Sequence, residues 1–298
     1  MNLYEQRSSN IHRTWALVLG FLIVVIAVGY AISWYYGNLG ILYIAVFIAV
    51  ATNFYAYWQS DKLVLSMNHA RPASREEFFD FYTVTENLAI TAGLPKPKLY
   101  VIDDPAPNAF ATGRDEDHAV VCATTGLLAM LTRAELEGVI AHELSHIKNR
   151  DILLMTIAVV LAGFVAIIAD MFLRMSLFGG GRSSDNRQGN ALIMILAVVG
   201  IVLAPVAAKL LQMAVSRRRE FLADASGALL TRFPEGLASA LQKIGGYQAP
   251  MRSANTATAH LFIGDPFGAK AVGMSSRIGH LFSTHPPIAD RVQALLGK

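Results

Sequence analysis

The sequence predicts a mainly helical α+β domain with one small β-sheet, joined to four transmembrane helices in two hairpins. Its 298 residues are 54% hydrophobic and only 16% charged, with a mean hydropathy of +0.42. The apolar residues form four long blocks, and the segments between them show helical patterns with a few short strand patterns. Soluble domains usually carry about 25% charged residues. A disordered chain, an acidic tail protein and a collagen-like fibre are therefore excluded, and the composition disfavours an ordinary cytosolic enzyme.

Charge and cysteine content narrow the class further. The net charge is +3, and no dense Lys/Arg face is visible, so nucleic acid is not an expected partner. A single cysteine, Cys122, excludes an internal disulfide framework and fits a reducing compartment.

The first hairpin lies in residues 1–60, after a short N-terminal tail. No Asp, Glu, Lys or Arg occurs in the 47 residues from Thr14 to Ser60. One span takes about 20 residues, so this stretch predicts spans at about 14–35 and 40–58. A buried core hairpin would need a much larger soluble domain around it. The second block follows at once, without a small-residue cleavage site, so the hairpin should remain attached as an anchor.

The second hairpin lies in residues 151–208, with spans predicted at about 152–173 and 190–208. Asp170 and Pro205 interrupt these blocks, so a re-entrant or surface-lying hairpin is the alternative. The basic residues predict a cytoplasmic N-terminus and cytoplasmic soluble segments in the plasma membrane. Arg174, Arg182 and Arg187 oppose this orientation; Arg7, Arg13, Lys62, Arg71, Arg75 and Arg217 to Arg219 favour it.

The soluble remainder consists of residues 61–150 and 209–298, each 90 residues long. Each is small for an independent core, so we expect the two to dock into one domain. Capping boxes at Ser74/Glu77 and Thr132/Glu135 open two of the predicted helices. The predicted elements are helices at 74–92, 132–150, 212–230, 234–245 and 286–297, a strand at 98–103, and a hairpin of 108–112 with 118–122.

The helix at 132–150 contains His142-Glu143-Leu144-Ser145-His146, an HExxH motif. Residues four apart share a helix face, so both imidazoles can bind one zinc ion. Glu143 can then take a proton from metal-bound water. A polar helix face is the alternative, and a di-iron site is disfavoured because a second Glu-x-x-His is absent from the sequence.

A catalytic zinc takes three protein ligands and leaves one position open. Glu220 and Asp224 stand four apart in a predicted helix, so Glu220 can serve as third ligand and Asp224 can orient a ligand imidazole. A solvated acidic face paired with nearby arginines fits this segment equally well.

The chain resembles the HtpX membrane proteases, gluzincin metallopeptidases related to the CAAX prenyl-protein proteases. The resemblance covers essentially the whole chain and rests on the four apolar blocks and four motifs. It implies a zincin-like domain, one Zn²⁺ per chain bound by His142, His146 and Glu220, Glu143 as general base, and Asp224 as support for a ligand. The motifs are Pro107-Asn108-Ala109-Phe110-Ala111, the zinc helix, Arg217-Arg218-Arg219-Glu220-Phe221-Leu222-Ala223-Asp224 and His285-Pro286-Pro287.

The resemblance also implies roles at the open side of the zinc. His285 and Arg291 match the C-terminal His-Pro and Arg positions of the family, where they would stabilise the oxyanion or bind the substrate chain. Asn108, Ala109 and Phe110 would belong to an active-site edge strand, to which substrate adds as a further strand. From sequence alone, His285 is typical of a loop, Arg291 of a surface ion pair, and 108–111 of a hairpin strand.

The expected function is a zinc endopeptidase that degrades misfolded membrane proteins at the cytoplasmic face, in stress-linked quality control. Its partners would be such substrates, the lipid bilayer and, by resemblance, other quality-control proteases. Two alternatives stay open: a CAAX-type protease for lipidated peptides, and a non-catalytic membrane scaffold with a structural metal. The intact Glu143 argues against the scaffold, because a structural site needs no base.

Overall fold

The computed structural model describes residues 3–178, 216–255, 258–268 and 286–297. The predicted span at 190–208 and the predicted catalytic residue His285 lie outside the described residues. The helices, numbered over the described residues, are α1 Leu3–Tyr36, α2 Leu39–Trp58, α3 Ser60–Met67, α4 Phe79–Ala92, α5 Thr125–Met130, α6 Arg133–Lys148, α7 Asp151–Phe178, α8 Arg217–Thr231, α9 Pro234–Gly246 and α10 Ile288–Leu296. The strands are β1 Arg71–Pro72, β2 Lys98–Ile102, β3 Ala109–Gly113 and β4 Ala119–Thr124.

The mainly helical fold with one small sheet is confirmed. The sheet has the strand order β1-β2-β4-β3, in which β2 and β4 are parallel and the other two pairings are antiparallel. The predicted hairpin forms from β3 and β4, with Ala109 opposite Ala123. Strand β3 therefore lies at one edge of the sheet. The two-residue strand β1 is too short for a sequence pattern to reveal.

Helices α1 and α2 are long and apolar enough to cross a membrane. Their outward side chains stay largely exposed in the isolated chain, for example Trp34 at 78% and Phe47 at 73%. Trp15 is exposed as well, and it precedes Trp34 by 19 residues, about 28 Å along a helix. That distance is close to the hydrocarbon thickness of a bilayer, about 30 Å, and tryptophan favours its two borders.

Helix α1 begins at Leu3, so the tail before the predicted span is helical as well. One predicted boundary was wrong. Helix α4 begins at Phe79 rather than at Ser74. The hydroxyl of Ser74 does accept the N–H of Glu77, but Arg71 binds both carboxylate oxygens of Glu77. The reciprocal half of that capping box is thereby lost, and only a turn forms before α4.

Helix α6 joins the two soluble pieces of the chain. On one side, Leu136, Val139 and Ile140 share a core with Leu237 and Leu241 of α9. A second core lies against the first half of α7 and includes side chains from α1, β3 and β4. The motif helix is consequently fixed by contacts from both soluble pieces of the chain.

Candidate metal centre

The capping box predicted at the start of α6 is present. The Thr132 hydroxyl accepts the Glu135 N–H, and the Glu135 carboxylate accepts the Thr132 N–H at 2.8 Å. About two turns after Glu135, His142 and His146 lie on the same face. Their Nε2 atoms are 3.2 Å apart, and both side chains are at least 94% buried.

Glu220 of α8 brings a carboxylate to this pair. Its Oε2 lies 3.7 Å from His142 Nε2, and its Oε1 lies 3.6 Å from His146 Nε2. Ligands about 2.0–2.1 Å from a tetrahedral zinc would be separated by about 3.3 Å. The three side chains therefore fit one zinc ion. Across the described parts of the chain, they form the only group of three or more His, Cys, Asp or Glu with this convergence.

The imidazole of His142 is held from behind by Asp224, which lies one turn after Glu220 on α8. His142 Nδ1 is 2.9 Å from Asp224 Oδ1, so Nε2 faces Glu220. Burial lowers the pKa of His142 and favours the neutral imidazole, the form that binds a metal. Asp224 thus lies where a carboxylate would fix the tautomer of a ligand imidazole.

Asp224 is itself held by Arg291 of α10. The guanidinium donates to both carboxylate oxygens, at 2.8 and 2.6 Å, and to the carbonyl of Ile263 at 3.2 Å. Arg291 is fully buried, with 0% of its surface exposed. The guanidinium thus lies behind His142, with Nη1 3.8 Å from Oε2 of Glu220, and contact of Arg291 with a substrate chain stays a prediction.

The imidazole of His146 has a matching support that sequence reasoning missed. Its Nδ1 lies 2.9 Å from Oδ2 of Asp151, the first residue of α7. Only Asn149 and Arg150 separate the two helices, and Arg150 adopts a left-handed conformation, with φ of +59°. That turn brings Asp151 back beside His146. An acidic residue at a helix start is common, so its position in sequence carried no distinguishing signal.

Burial opposes a charged His146, but Asp151 and the neighbouring Glu220 carboxylate outweigh it and raise the pKa of His146 to about 9. The same two carboxylates would stabilise a metal cation at Nε2 in place of a proton. The charge balance around His146 is thus suited to a bound divalent ion.

Glu143 points to the side, toward the sheet edge. The backbone N–H of Ala111 on β3 lies close enough to this carboxylate to favour its charged form, so the candidate base lies beside the edge strand. Burial raises the pKa of Glu143 to about 7, and the charge of Glu220 adds to that rise. A base with a pKa near neutral can both take up and release a proton at physiological pH.

The edge strand is held in place by a loop that follows α9. Asn108 exchanges two hydrogen bonds of 3.0 Å with the backbone of Gly264, and the Ala109 carbonyl accepts the Ile263 N–H. Phe110 is fully buried and packs edge-on against Phe262. The side chains of Asn108 and Phe110 therefore serve the protein interior, and any contact with a substrate there would use backbone groups.

The sequence profile of peptidase family M48 matches residues 77–298. A protease HtpX homolog of Caldanaerobacter subterraneus subsp. tengcongensis is 47% identical over 298 residues, covering 98% of this chain and 97% of that protein. Another, of Pyrococcus furiosus, is 47% identical over 283 residues, covering 94% and 93%. The crystal structure of S. mikatae Ste24p gives a TM-score of 0.51 at 18% identity, covering 98% of this chain and 67% of that one. At that identity, the likeness to Ste24p concerns the fold alone.

Proposed function

The chain belongs to peptidase family M48, as an HtpX homolog and a metallopeptidase, and we propose that it is a membrane-anchored zinc endopeptidase acting at the cytoplasmic face. The observation that carries this proposal is the convergence of His142, His146 and Glu220 beside Glu143 and a strand edge. Three protein ligands with one open position are typical of catalytic zinc, whereas structural zinc sites usually have four.

Zinc held by the three ligands would supply a Lewis acid for water and for the scissile carbonyl. Glu143 takes up the proton of the attacking water at its carboxylate and delivers it to the leaving amine nitrogen. Asp224 and Asp151 keep the two imidazoles in one tautomer, with each Nε2 facing the carboxylate of Glu220. His285 remains a predicted partner of the substrate or the oxyanion.

We propose that the substrate adds as an extended strand along the outward backbone of β3. Ala111 faces Glu143, and the neighbouring Ala109 carbonyl is already bonded to Ile263. A peptide next to Ala111 would lie within reach of the base. Recognition through backbone groups reads few side chains, which suits a protease that acts on many unfolded sequences.

The membrane location is supported by the exposed apolar faces of α1 and α2. Asn10 of α1 contacts Asp151 of α7, and Phe21 packs on Phe164 of α7 with ring centroids 6.1 Å apart. Helices α1 and α7 thus run in the same direction away from the metal centre. Five residues separate Asn10 from Trp15, about 7 Å of helix, which supports a centre close to the membrane surface on the same side as the N-terminus.

The substrate class and domain division follow from this position. Misfolded membrane proteins and their cytosolic loops would meet a centre at the bilayer, and family membership supports a role in stress-linked quality control. The shared core of α6 and α9 supports one protease domain formed by 61–150 and 209–298. Residues 1–60 and 151–208 would then supply the two membrane hairpins.

The proposal is tested by Glu143→Gln in the full-length chain, purified in detergent and supplied with zinc and an unfolded protein substrate. Hydrolysis should fall roughly a hundredfold to ten-thousandfold while bound zinc stays near one per chain. Glu137→Gln is the matched control, because Glu137 lies on the same helix with 40% of its side chain exposed. Wild-type turnover in Glu143→Gln would overturn the mechanism. Faster cleavage of a lipidated peptide than of unfolded protein would favour the CAAX-type alternative.

A further inference from the structure

The carboxylate of Asp151 contacts His146 and, at 3.6 Å, Arg219. Its third partner comes from the membrane hairpin. The side-chain amide of Asn10, on α1, donates to Asp151 Oδ1 at 2.5 Å and to the Asn149 carbonyl at 2.9 Å. Both partners are acceptors, so the two N–H groups of the amide are fully used and its orientation is fixed. Asn10 is completely buried.

The placement of Asn10 depends on how α1 packs on α7. Leu17 and Phe21 of α1 are buried in the core that contains Leu154 and Ala158 of α7. This apolar contact sets the register of α1 against α7 and brings its polar N-terminal extension to the α6–α7 turn.

We infer that Asn10 is a positioning residue of the metal centre, which acts on His146 through Asp151. The contacts form one line: the Asn10 amide fixes Oδ1 of Asp151, Oδ2 of the same carboxylate meets His146 Nδ1, and His146 Nε2 faces Glu220. Arg219 approaches the same Oδ1 at 3.6 Å, a longer and less directional contact. The segment before the first membrane span is thus part of the protease centre.

This inference rests on the proposed function, since it requires zinc at the three ligands. Its test is the zinc dissociation constant, measured by chelator competition on the full-length chain in detergent. Groups behind a metal ligand typically contribute tenfold to a hundredfold in affinity. We expect that loss for Asp151→Asn and a smaller one, about threefold to tenfold, for Asn10→Ala, which acts one bond further away.

The decisive measurement is the double-mutant cycle. If Asn10 acts through Asp151, adding Asn10→Ala to Asp151→Asn should change the dissociation constant by less than about twofold. Asn53→Ala is the matched control, because Asn53 of α2 donates only within its own helix, to Ala49; it should leave zinc affinity unchanged. Asn10→Ser keeps a shorter donor and should give an intermediate affinity.

Two results would overturn the inference: additive losses in the cycle, or a lower unfolding temperature of metal-free Asn10→Ala with unchanged zinc affinity. The second would show a purely structural amide. Should Asn10→Ala not fold, the same cycle is run with Asn10→Ser. A wild-type chain that took up no zinc would instead overturn the proposed function. The zinc titration of the wild-type chain detects that outcome independently of the variants.

Discussion

Each histidine of the metal centre is held by a carboxylate, and the two carboxylates differ in the group that fixes them. One is fixed from the C-terminal helix, the other from the first membrane helix. Behind His142, Asp224 is paired with a buried guanidinium, that of Arg291, through two short hydrogen bonds. Behind His146, the carboxylate of Asp151 is fixed mainly by a neutral amide from α1. We call these the C-terminal support, Asp224 with Arg291, and the membrane support, Asp151 with Asn10.

The difference concerns how charge is balanced. In the C-terminal support, a full positive charge offsets a full negative charge, and each depends on the other because both are buried. In the membrane support, the amide bonds the carboxylate without neutralising it, and the nearest cation, Arg219, lies 3.6 Å from Oδ1 rather than within hydrogen-bond distance. The negative charge of Asp151 is therefore offset less closely than that of Asp224, and more of it acts on His146 and on a cation beyond it. Removing a residue of the C-terminal support should therefore reduce mainly the folding stability. Removing a residue of the membrane support should reduce mainly the metal affinity.

The largest expected effect is that of Arg291→Met, which leaves Asp224 buried without its cation. Breaking one partner out of a buried ion pair typically costs about 3–5 kcal/mol. We expect the thermal unfolding midpoint, measured in detergent, to fall by on the order of 10 °C. Adding Asp224→Asn should recover part of the loss, because it removes the unpaired charge.

The control for this variant is Arg75→Met, whose partner Glu86 lies 3.7 Å away on the surface. Exposed pairs contribute less than about 1 kcal/mol, so its midpoint should hardly move. Equal midpoints for Arg291→Met and Arg75→Met would contradict the assigned importance of the C-terminal support.

The two supports also mark where prediction from sequence succeeds and fails. The HExxH spacing and the Thr132/Glu135 capping box are local patterns, and helix geometry alone places their side chains. The groups that fix the carboxylates of Asp151 and Asp224 are distant in sequence: Asn10 precedes Asp151 by 141 residues, and Arg291 follows Asp224 by 67. Such pairs form only after packing has set the helix registers.

The same distinction explains the errors. Ser74 and Glu77 have the spacing of a capping box, but Arg71 competes for the Glu77 carboxylate. The alternative of a surface ion pair for Arg291 is wrong for the same reason, because α10 buries the guanidinium against Asp224. In both cases, a long arginine side chain reached a carboxylate that no periodic pattern had linked to it.

A change at Glu135 should affect folding stability without affecting metal affinity, although Glu135 lies on α6 together with His142 and His146. At the end of α6 far from the ligands, its carboxylate accepts hydrogen bonds from Ser239 and Lys243 of α9, at 2.6 and 2.7 Å. Burial opposes its charge, but the bonds from Lys243, Ser239 and Thr132 lower the pKa of Glu135 from 4.5 to about 2.

Because the folded pKa lies below the unfolded one, this carboxylate stabilises the fold above about pH 4.5 and loses that contribution as pH falls toward 2. Glu135→Gln should reduce the free energy of unfolding by about 1–2 kcal/mol at pH 7. Its deficit relative to wild type should shrink on acidification, while its zinc affinity stays that of wild type. A constant deficit from pH 7 to pH 3 would refute the assignment; Glu137→Gln should follow the wild type throughout.

The smallest expected effect is that of Gly227→Ala, which tests how closely α8 must approach α6. Gly227 lies two turns after Glu220, and a Cβ atom there would be 3.0 Å from the backbone nitrogen of His142. Backbone atoms of a helix cannot rotate away, so the helices must separate by a few tenths of an ångström. Since the ligands His142 and Glu220 stand on these two helices, their separation must grow with it.

We expect zinc affinity to fall by about twofold to fivefold. Overall stability should change by less than about 1 kcal/mol, because alanine is the better helix former and offsets part of the strain. Gly246→Ala is the control: no atom lies within 4 Å of its added Cβ, so only helix propensity changes there. Unchanged affinity in Gly227→Ala would mean that Asp224 moves His142 together with α8, so that the C-terminal support holds the ligands at a fixed distance even when the helices shift.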